Sequence, residues 1–131
     1  MILLDTHTWL WLYVGPDKLS SAATAAIRRA VTDGGMAVAS ISLWEMAMIV
    51  ARGVFQPRGT PETWLIELVE RTGVIIKEIT PAIATLATQF PHDFPGDPAD
   101  RLIAATARAE GLPLVTHDRK LRRSRLIETV W

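Results

Sequence analysis

Short apolar runs alternate with longer amphipathic segments along the whole chain. The runs predicted to be strands are Ile2–Leu4, Met36–Ala39, Val74–Ile76, Pro113–Thr116 and Leu126–Val130. Strands that alternate with helices specify a parallel sheet covered by helices on both faces. The pattern therefore predicts a single α/β domain over residues 1–131, with three α/β/α layers and a central parallel sheet of about five strands.

Helices are predicted where a capping residue precedes an amphipathic segment and a glycine or proline follows it. Ser42 is the predicted cap of the third helix, which carries Glu45 in its first turn, and Asp97 before Pro98 is the predicted cap of the last long helix. The predicted helices are Thr6–Tyr13, Ala22–Thr32, Leu43–Arg52, Pro61–Thr72, Ala82–Phe90 and Ala99–Glu110, and His117–Arg123 is a polar connection or a short helix.

Composition narrows the class of protein. The 131 residues include no cysteine, which excludes disulfide scaffolds and thiolate zinc sites. The first residues carry no basic segment and reach a carboxylate at Asp5, unlike a signal peptide, and no apolar run approaches the ~20 residues of a membrane span. We therefore expect a cytoplasmic protein without a membrane partner.

The net charge of zero conceals two halves of opposite charge. Residues 1–100 carry 7 basic and 11 acidic side chains, whereas residues 101–131 carry 7 basic and 3 acidic ones. Five of those cations fall within seven positions: Arg119, Lys120, Arg122, Arg123 and Arg125. Such a segment is either a solvated basic face or a binding site for a polyanion.

Carboxylates follow the predicted strands at the edge where sites form in parallel sheets. Asp5 ends the first strand, Glu45 comes after the second and Asp118 after the fourth. Asp97 and Asp100 open the helix that leads into the fourth strand. A single one of these acids could be a helix cap or a surface charge, but their shared edge favours one site.

An acidic cluster of this kind needs shared protons or a cation, since two carboxylates 4 Å apart repel by roughly 4 kcal/mol at an effective dielectric of 20. Oxygen ligands without cysteine suit Mg²⁺ or Mn²⁺. Such a site can activate water for attack on a phosphodiester. The basic segment starts directly after Asp118, where it could attract the phosphates of a substrate.

Several motifs in order resemble the PIN-domain ribonucleases, and in particular the VapC toxins of VapBC toxin–antitoxin modules. They are Leu-Leu-Asp-Thr-His-Thr at 3–8, Ser-Leu-Trp-Glu at 42–45, Asp-Pro-Ala-Asp-Arg-Leu-Ile-Ala-Ala-Thr-Ala at 97–107, Leu-Pro-Leu-Val-Thr-His-Asp at 112–118 and the terminal Trp131. The resemblance covers essentially the whole chain, and it implies a PIN-like fold.

The resemblance also implies an activity. In that family an acidic quartet binds Mg²⁺ or Mn²⁺ and cleaves RNA, which here implies Asp5, Glu45, Asp100 and Asp118 as catalytic residues and metal ligands. It implies in-line attack by metal-activated water, leaving 5′-phosphate and 3′-hydroxyl ends. It further implies homodimers that a VapB-type antitoxin neutralises in a heterotetramer or larger complex.

Three residues are auxiliary candidates in this scheme. Asp100 fits the third acidic position better than Asp97, because it directly precedes an Ala-rich hydrophobic segment, and Asp97 is kept as a cap or an auxiliary ligand. The hydroxyl of Thr116 would orient Asp118 or the metal-bound water, and Thr6 would support Asp5 in the same way. Arg119, Lys120, Arg122, Arg123 and Arg125 are the predicted RNA-binding residues.

The aromatic segment Trp9–Tyr13 is too apolar for a free surface helix. We expect part of it in the core and part in a protein interface, while stacking on RNA bases is the less favoured alternative. His7 and His117 flank the acids and are expected to have structural hydrogen-bonding roles.

Two other classes of function compete with a nuclease. A receiver-like signalling domain has the same length and an aspartate cluster at strand ends, but no aspartate follows the third predicted strand to accept a phosphoryl group. A PIN-like domain without activity, which only binds a partner, is disfavoured because all four acidic positions are filled.

Overall fold

The computed structural model describes all 131 residues as a parallel sheet of five strands with seven α-helices. The strands are β1 (Ile2–Leu4), β2 (Met36–Ala39), β3 (Ile75–Lys77), β4 (Leu114–Val115) and β5 (Thr129–Val130). The helices are α1 (Thr6–Val14), α2 (Ser21–Thr32), α3 (Ile41–Ala51), α4 (Pro61–Thr72), α5 (Pro81–Ala87), α6 (Pro98–Glu110) and α7 (Arg119–Arg123), and a 3₁₀ turn spans Pro16–Lys18. The predicted α/β architecture is confirmed.

The order of strands creates a crevice at one edge of the sheet. The order is β3-β2-β1-β4-β5, with every neighbouring pair parallel. The chain builds one half outward from β1 through β2 to β3, then returns to place β4 on the other side of β1. Ligands of open α/β sheets bind at this switch point, outside the carboxyl ends of the strands, here β1 and β4.

Alternate residues of each strand face opposite layers, and this divides the core in two. Leu3 packs with the layer of α5, α6 and α7, whereas Leu4 packs with the layer of α1, α2 and α4. Both side chains are fully buried. The buried face of α6 is rich in alanine, a small side chain that allows close packing of a helix against the core.

Most predicted element ends differ from the structure by one or two residues, and three differences are larger or change the role of a residue. Ser42 does not cap α3, because the helix already starts at Ile41 and the Ser42 side chain is buried. Helix α5 ends at Ala87 and not at the predicted Phe90. Phe90 lies beyond the helix and stacks on Phe94, with ring centroids 4.2 Å apart. Strand β5 comprises only Thr129–Val130 of the predicted Leu126–Val130.

No helix combines the length and the apolar character that crossing a bilayer requires.

Candidate active site

Asp5 lies at the junction of β1 and α1. Its carboxylate caps α1, with Oδ1 accepting from the Thr6 N–H at 2.8 Å. The Thr116 hydroxyl donates to Oδ2 at 2.6 Å. Burial raises the pKa of Asp5 more strongly than these two hydrogen bonds lower it. Both oxygens are thus held by the protein in a setting that disfavours negative charge.

Glu45 enters the same crevice from α3. The Thr6 hydroxyl donates to Glu45 Oε1 at 2.6 Å and shares a hydrogen bond of 2.9 Å with the buried Ser42 hydroxyl. Burial raises the pKa of Glu45, and the nearby charges of Asp5 and Asp97 add to this effect. Thr6 therefore supports Asp5 through its backbone and Glu45 through its side chain, whereas the sequence predicted support of Asp5 by the hydroxyl.

Asp100 lies in the first turn of α6, next to Asp97. The Asp97 side chain is the predicted cap, accepting from the Ala99 N–H at 3.0 Å, so this prediction is confirmed. The pKa of Asp100 is raised to about 7, first by burial and then by the charges of Asp97, Asp5, Asp118 and Glu45. The charges of all four other acids in the cleft thus raise the pKa of Asp100.

Asp118 begins α7 and is linked to Asp5 through one hydroxyl. Its Oδ1 accepts from the backbone N–H groups of Lys120 at 2.7 Å and Leu121 at 3.0 Å. Its own N–H donates to the Thr116 hydroxyl at 3.0 Å. Thr116 thereby holds Asp118 through its backbone N–H, whereas the sequence predicted that the hydroxyl would orient Asp118 or the metal-bound water. The hydrogen bond that Thr116 donates to Asp5 was not predicted.

All five predicted acids line one cleft of about 430 Å³. The lining residues are Asp5, His7, Trp11, Glu45, Asp97, Asp100, His117 and Asp118. Oxygen donors of this kind, whose charge is not offset by any lysine or arginine in the lining, fit a hard divalent cation such as Mg²⁺ or Mn²⁺. No three of these side chains stand in ready-made ligand geometry. Backbone N–H groups and threonine hydroxyls hydrogen-bond several of the carboxylate oxygens.

The predicted RNA-binding cations are all exposed and lie on and just after α7. These cations are divided between two cavities outside the acidic cleft. Arg119, Arg122 and Arg123 line a cavity of about 560 Å³ with Thr129 and Trp131. Lys120, Arg123 and Arg125 line another, of about 530 Å³, against the loop that contains Phe94. Positive charge therefore extends in two directions from Asp118.

Arg101 has a structural role that the sequence pattern does not predict. Its guanidinium donates to the backbone carbonyls of Phe90, Pro91 and Phe94 at 3.3–3.4 Å and lies 5.8 Å from the Phe94 ring centroid. These contacts hold the loop that leads into Asp97. The only signal in the sequence is the position of Arg101 directly after Asp100 in the resembling motif.

Comparison with known proteins identifies a family and a relative that this chain resembles. The family model described as PIN domain matches residues 2–125. The chain is 42% identical to Ribonuclease VapC22 of Mycobacterium tuberculosis over 132 aligned residues, which cover 99% of this chain and 98% of that protein.

Solved structures share the fold at lower identity. VapBC2 from Rickettsia felis, bound to a DNA fragment from its promoter, superposes with a TM-score of 0.75 at 18% identity, covering 98% of this chain and 97% of the other. DNA-bound VapBC from Salmonella typhimurium gives a TM-score of 0.70 at 22% identity, covering 98% and 97%.

Proposed function

The chain belongs to the PIN-domain family and to its VapC group, and from that premise we propose that it is a metal-dependent endoribonuclease acting as the toxin of a toxin–antitoxin pair. The 42% identical relative is a ribonuclease by name. The observation that carries the proposal is the convergence of Asp5, Glu45, Asp100 and Asp118 on one cleft.

The residues that would hold Mg²⁺ or Mn²⁺ are these four carboxylates, with Asp97 as an auxiliary ligand. A divalent cation held there would lower the pKa of water and stabilise negative charge on a phosphodiester. Asp5, Glu45 and Asp100, whose pKa values are raised by burial and by the neighbouring acids, would be stabilised in their charged form by such a cation.

The protein's own groups orient this site before any substrate arrives. Thr116 fixes Asp5 and the backbone of Asp118, and Thr6 fixes Asp5 and Glu45. Partners of this kind hold ligating carboxylates in place and tune how they bind metal. The cations after Asp118 bind phosphates on either side of the cleaved bond and so position the RNA.

Cleavage of RNA by the purified protein tests the activity. We expect cleavage with Mg²⁺ or Mn²⁺ that leaves 5′-phosphate ends, and a loss of more than about 100-fold in Asp5→Asn and Glu45→Gln, because each removes an acidic ligand. The matched controls are Asp33→Asn and Glu62→Gln, which neutralise exposed acids outside the cleft and should retain activity. Equal cleavage by site and control variants would remove the quartet from the mechanism, and no cleavage of any RNA would favour a binding-only PIN domain.

A VapB-type antitoxin is the proposed protein partner, in a complex built on a toxin homodimer. The support is that the solved neighbours include VapBC complexes. The chain also has an exposed apolar groove of about 390 Å³ between α3, α4 and β3, lined by Leu43, Leu65, Ile66, Val69 and Ile76 with Glu62 and Glu70, and such a groove is typical of a surface that a partner covers.

Expression in a bacterial host tests the toxin role. Growth should arrest with the native protein and continue with Asp5→Asn, and co-expression of the neighbouring reading frame should relieve the arrest. Normal growth with the native protein at a confirmed expression level would contradict the toxin assignment.

A further inference from the structure

Four rings form a cluster at the acidic cleft: His7, Trp11, His117 and Trp131. The Trp11 centroid lies 5.9 Å from that of His7, 5.7 Å from that of His117 and 5.8 Å from that of Trp131. The centroids of His117 and Trp131 are 5.2 Å apart. These are the separations of tilted and edge-to-face aromatic pairs, so the rings brace one another as one surface, the ring cluster.

The ring cluster connects the acidic cleft to a basic cavity. His7, Trp11 and His117 line the acidic cleft. Trp131 lines the cavity that also contains Arg119, Arg122 and Arg123. Because His117 contacts both tryptophans, the aromatic surface passes from one cavity to the other without interruption.

These rings differ from the tryptophans that fill the core. Trp9 and Trp64 are 0% and 4% exposed, whereas Trp11 and Trp131 are only half-buried. A partly exposed ring beside arginines is the arrangement on which bases of single-stranded nucleic acids stack. Of the two half-buried tryptophans, Trp131 is the one that shares its cavity with cations.

Building on the proposed function, we propose that Trp131 is a stacking subsite for an unpaired base of the RNA, at a nucleotide next to the cleaved bond. Arg119 and Arg122 bind the phosphate adjoining that base in the same cavity. Trp11 and His117 support the ring, and the scissile phosphate lies over the acidic cleft beyond His117. Since every base presents a π face, the subsite selects unpaired over paired RNA and not one base over another.

Binding measured without cleavage tests the subsite. The probe is a fluorescent single-stranded oligoribonucleotide, and its affinity is measured for the full chain carrying Asp100→Asn. Adding Trp131→Ala should weaken binding about tenfold, and Trp131→Phe should stay within about twofold, because a phenyl ring still stacks. The matched control is Trp44→Ala, which removes a tryptophan that is 56% exposed on α3 and lines neither cavity.

A second readout separates stacking from a purely structural role. One abasic nucleotide is moved along the oligoribonucleotide, and with Trp131 present we expect binding to weaken at one position. That position-specific weakening should disappear in Trp131→Ala. In the cleavage-competent chain, Trp131→Ala should raise KM about tenfold and change kcat less than about threefold.

The outcomes distinguish the subsite from the nuclease itself. Unchanged affinity in Trp131→Ala, or an abasic effect that persists in that variant, overturns the subsite even if the protein cleaves RNA. Weaker binding in Trp131→Ala by a protein that cleaves no RNA keeps the subsite and removes the nuclease. If Trp131→Ala unfolds, the abasic series on the protein with Trp131 intact decides, since affinity that is equal at every abasic position overturns the subsite.

Discussion

At the scale of single residues, two threonine hydroxyls hold the carboxylates of the cleft in place. Thr116 is fully buried and bridges Asp5 to the backbone of Asp118, and Thr6 reaches Glu45. Neither hydroxyl can be replaced by a methyl group without leaving a buried polar partner unpaired. The precision of the acidic site therefore depends on residues that carry no charge.

Replacing Thr116 by valine tests this dependence. Thr116→Val keeps the shape of the side chain but removes the donor to Asp5 and the acceptor for Asp118, so we expect cleavage to fall by about 10- to 100-fold and half-maximal activity to need more Mn²⁺. The matched control is Thr8→Val, since Thr8 is equally buried but donates to the Val115 carbonyl at 3.0 Å. The control should lower the melting temperature and spare cleavage, and equal loss of cleavage in both variants would contradict the assigned role.

The raised pKa of Asp100 makes the stability of the metal-free protein depend on pH. The folded-state pKa is about 7 against an ordinary value of 3.8, so between these values the folded state holds more protons than the unfolded state. The contribution of Asp100 to the free energy of unfolding therefore falls as pH rises through this window.

Thermal unfolding in EDTA checks this sign. The melting temperature of Asp100→Asn relative to the native protein should rise by a few degrees between pH 4.5 and pH 8, because the variant avoids burying a charge among the other acids. Asp33→Asn, at the exposed end of α2, should show no such gain. If the melting-temperature difference between Asp100→Asn and the native protein is the same at both pH values, the raised pKa of Asp100 is contradicted.

At the scale of elements, α7 connects the acidic cleft to the basic cavities. It begins at the Asp118 cap and places the cations within one short helix and the residues after it. Its buried Leu121 anchors the helix in the core. The carboxylate and the cations are therefore fixed relative to each other by a single element.

Neutralising two cations of α7 should weaken RNA binding and reduce its dependence on salt. We expect the double variant Arg122→Gln/Arg123→Gln to lower the slope of log affinity against log salt by up to ~1.4, since each phosphate contact with a single strand contributes ~0.7. Arg28→Gln/Arg29→Gln on α2 is the control, because it removes the same charge from an exposed pair. An unaltered slope in the α7 variant would make these cations a solvated surface.

The elements also indicate what the sequence could predict. Strand–helix alternation and the cap at Asp97 reflect local interactions, and the structure confirms them. Ser42 was wrongly predicted as a cap. A serine near the start of a helix gives the same sequence signal whether its hydroxyl caps the backbone or hydrogen-bonds to a distant side chain. Here the Ser42 hydroxyl is hydrogen-bonded to Thr6, 36 residues earlier. Contacts between distant parts of the chain, such as Thr116 with Asp5, depend on strand order, which periodicity does not encode.

At the scale of the whole molecule, strand order explains how a protein of zero net charge forms an acidic cleft beside basic cavities. The return of the chain from β3 to β4 brings Asp118 and the basic segment beside Asp5. The acids are thus concentrated at the switch point and the cations just outside it. Opposite charges that cancel in the composition are separated in space, with the acidic cleft next to the basic cavities.

The measurement that tests the central claim most directly is a Mn²⁺ titration in which metal binding and RNA cleavage are followed on the same preparations. The cleavage rate of the native protein should rise in step with Mn²⁺ occupancy and vanish in EDTA. Asp100→Asn should lose both binding and cleavage, and Asp33→Asn should keep both. Cleavage that persists in EDTA, or Asp100→Asn cutting RNA at the native rate, would contradict a metal-dependent nuclease at the acidic cleft.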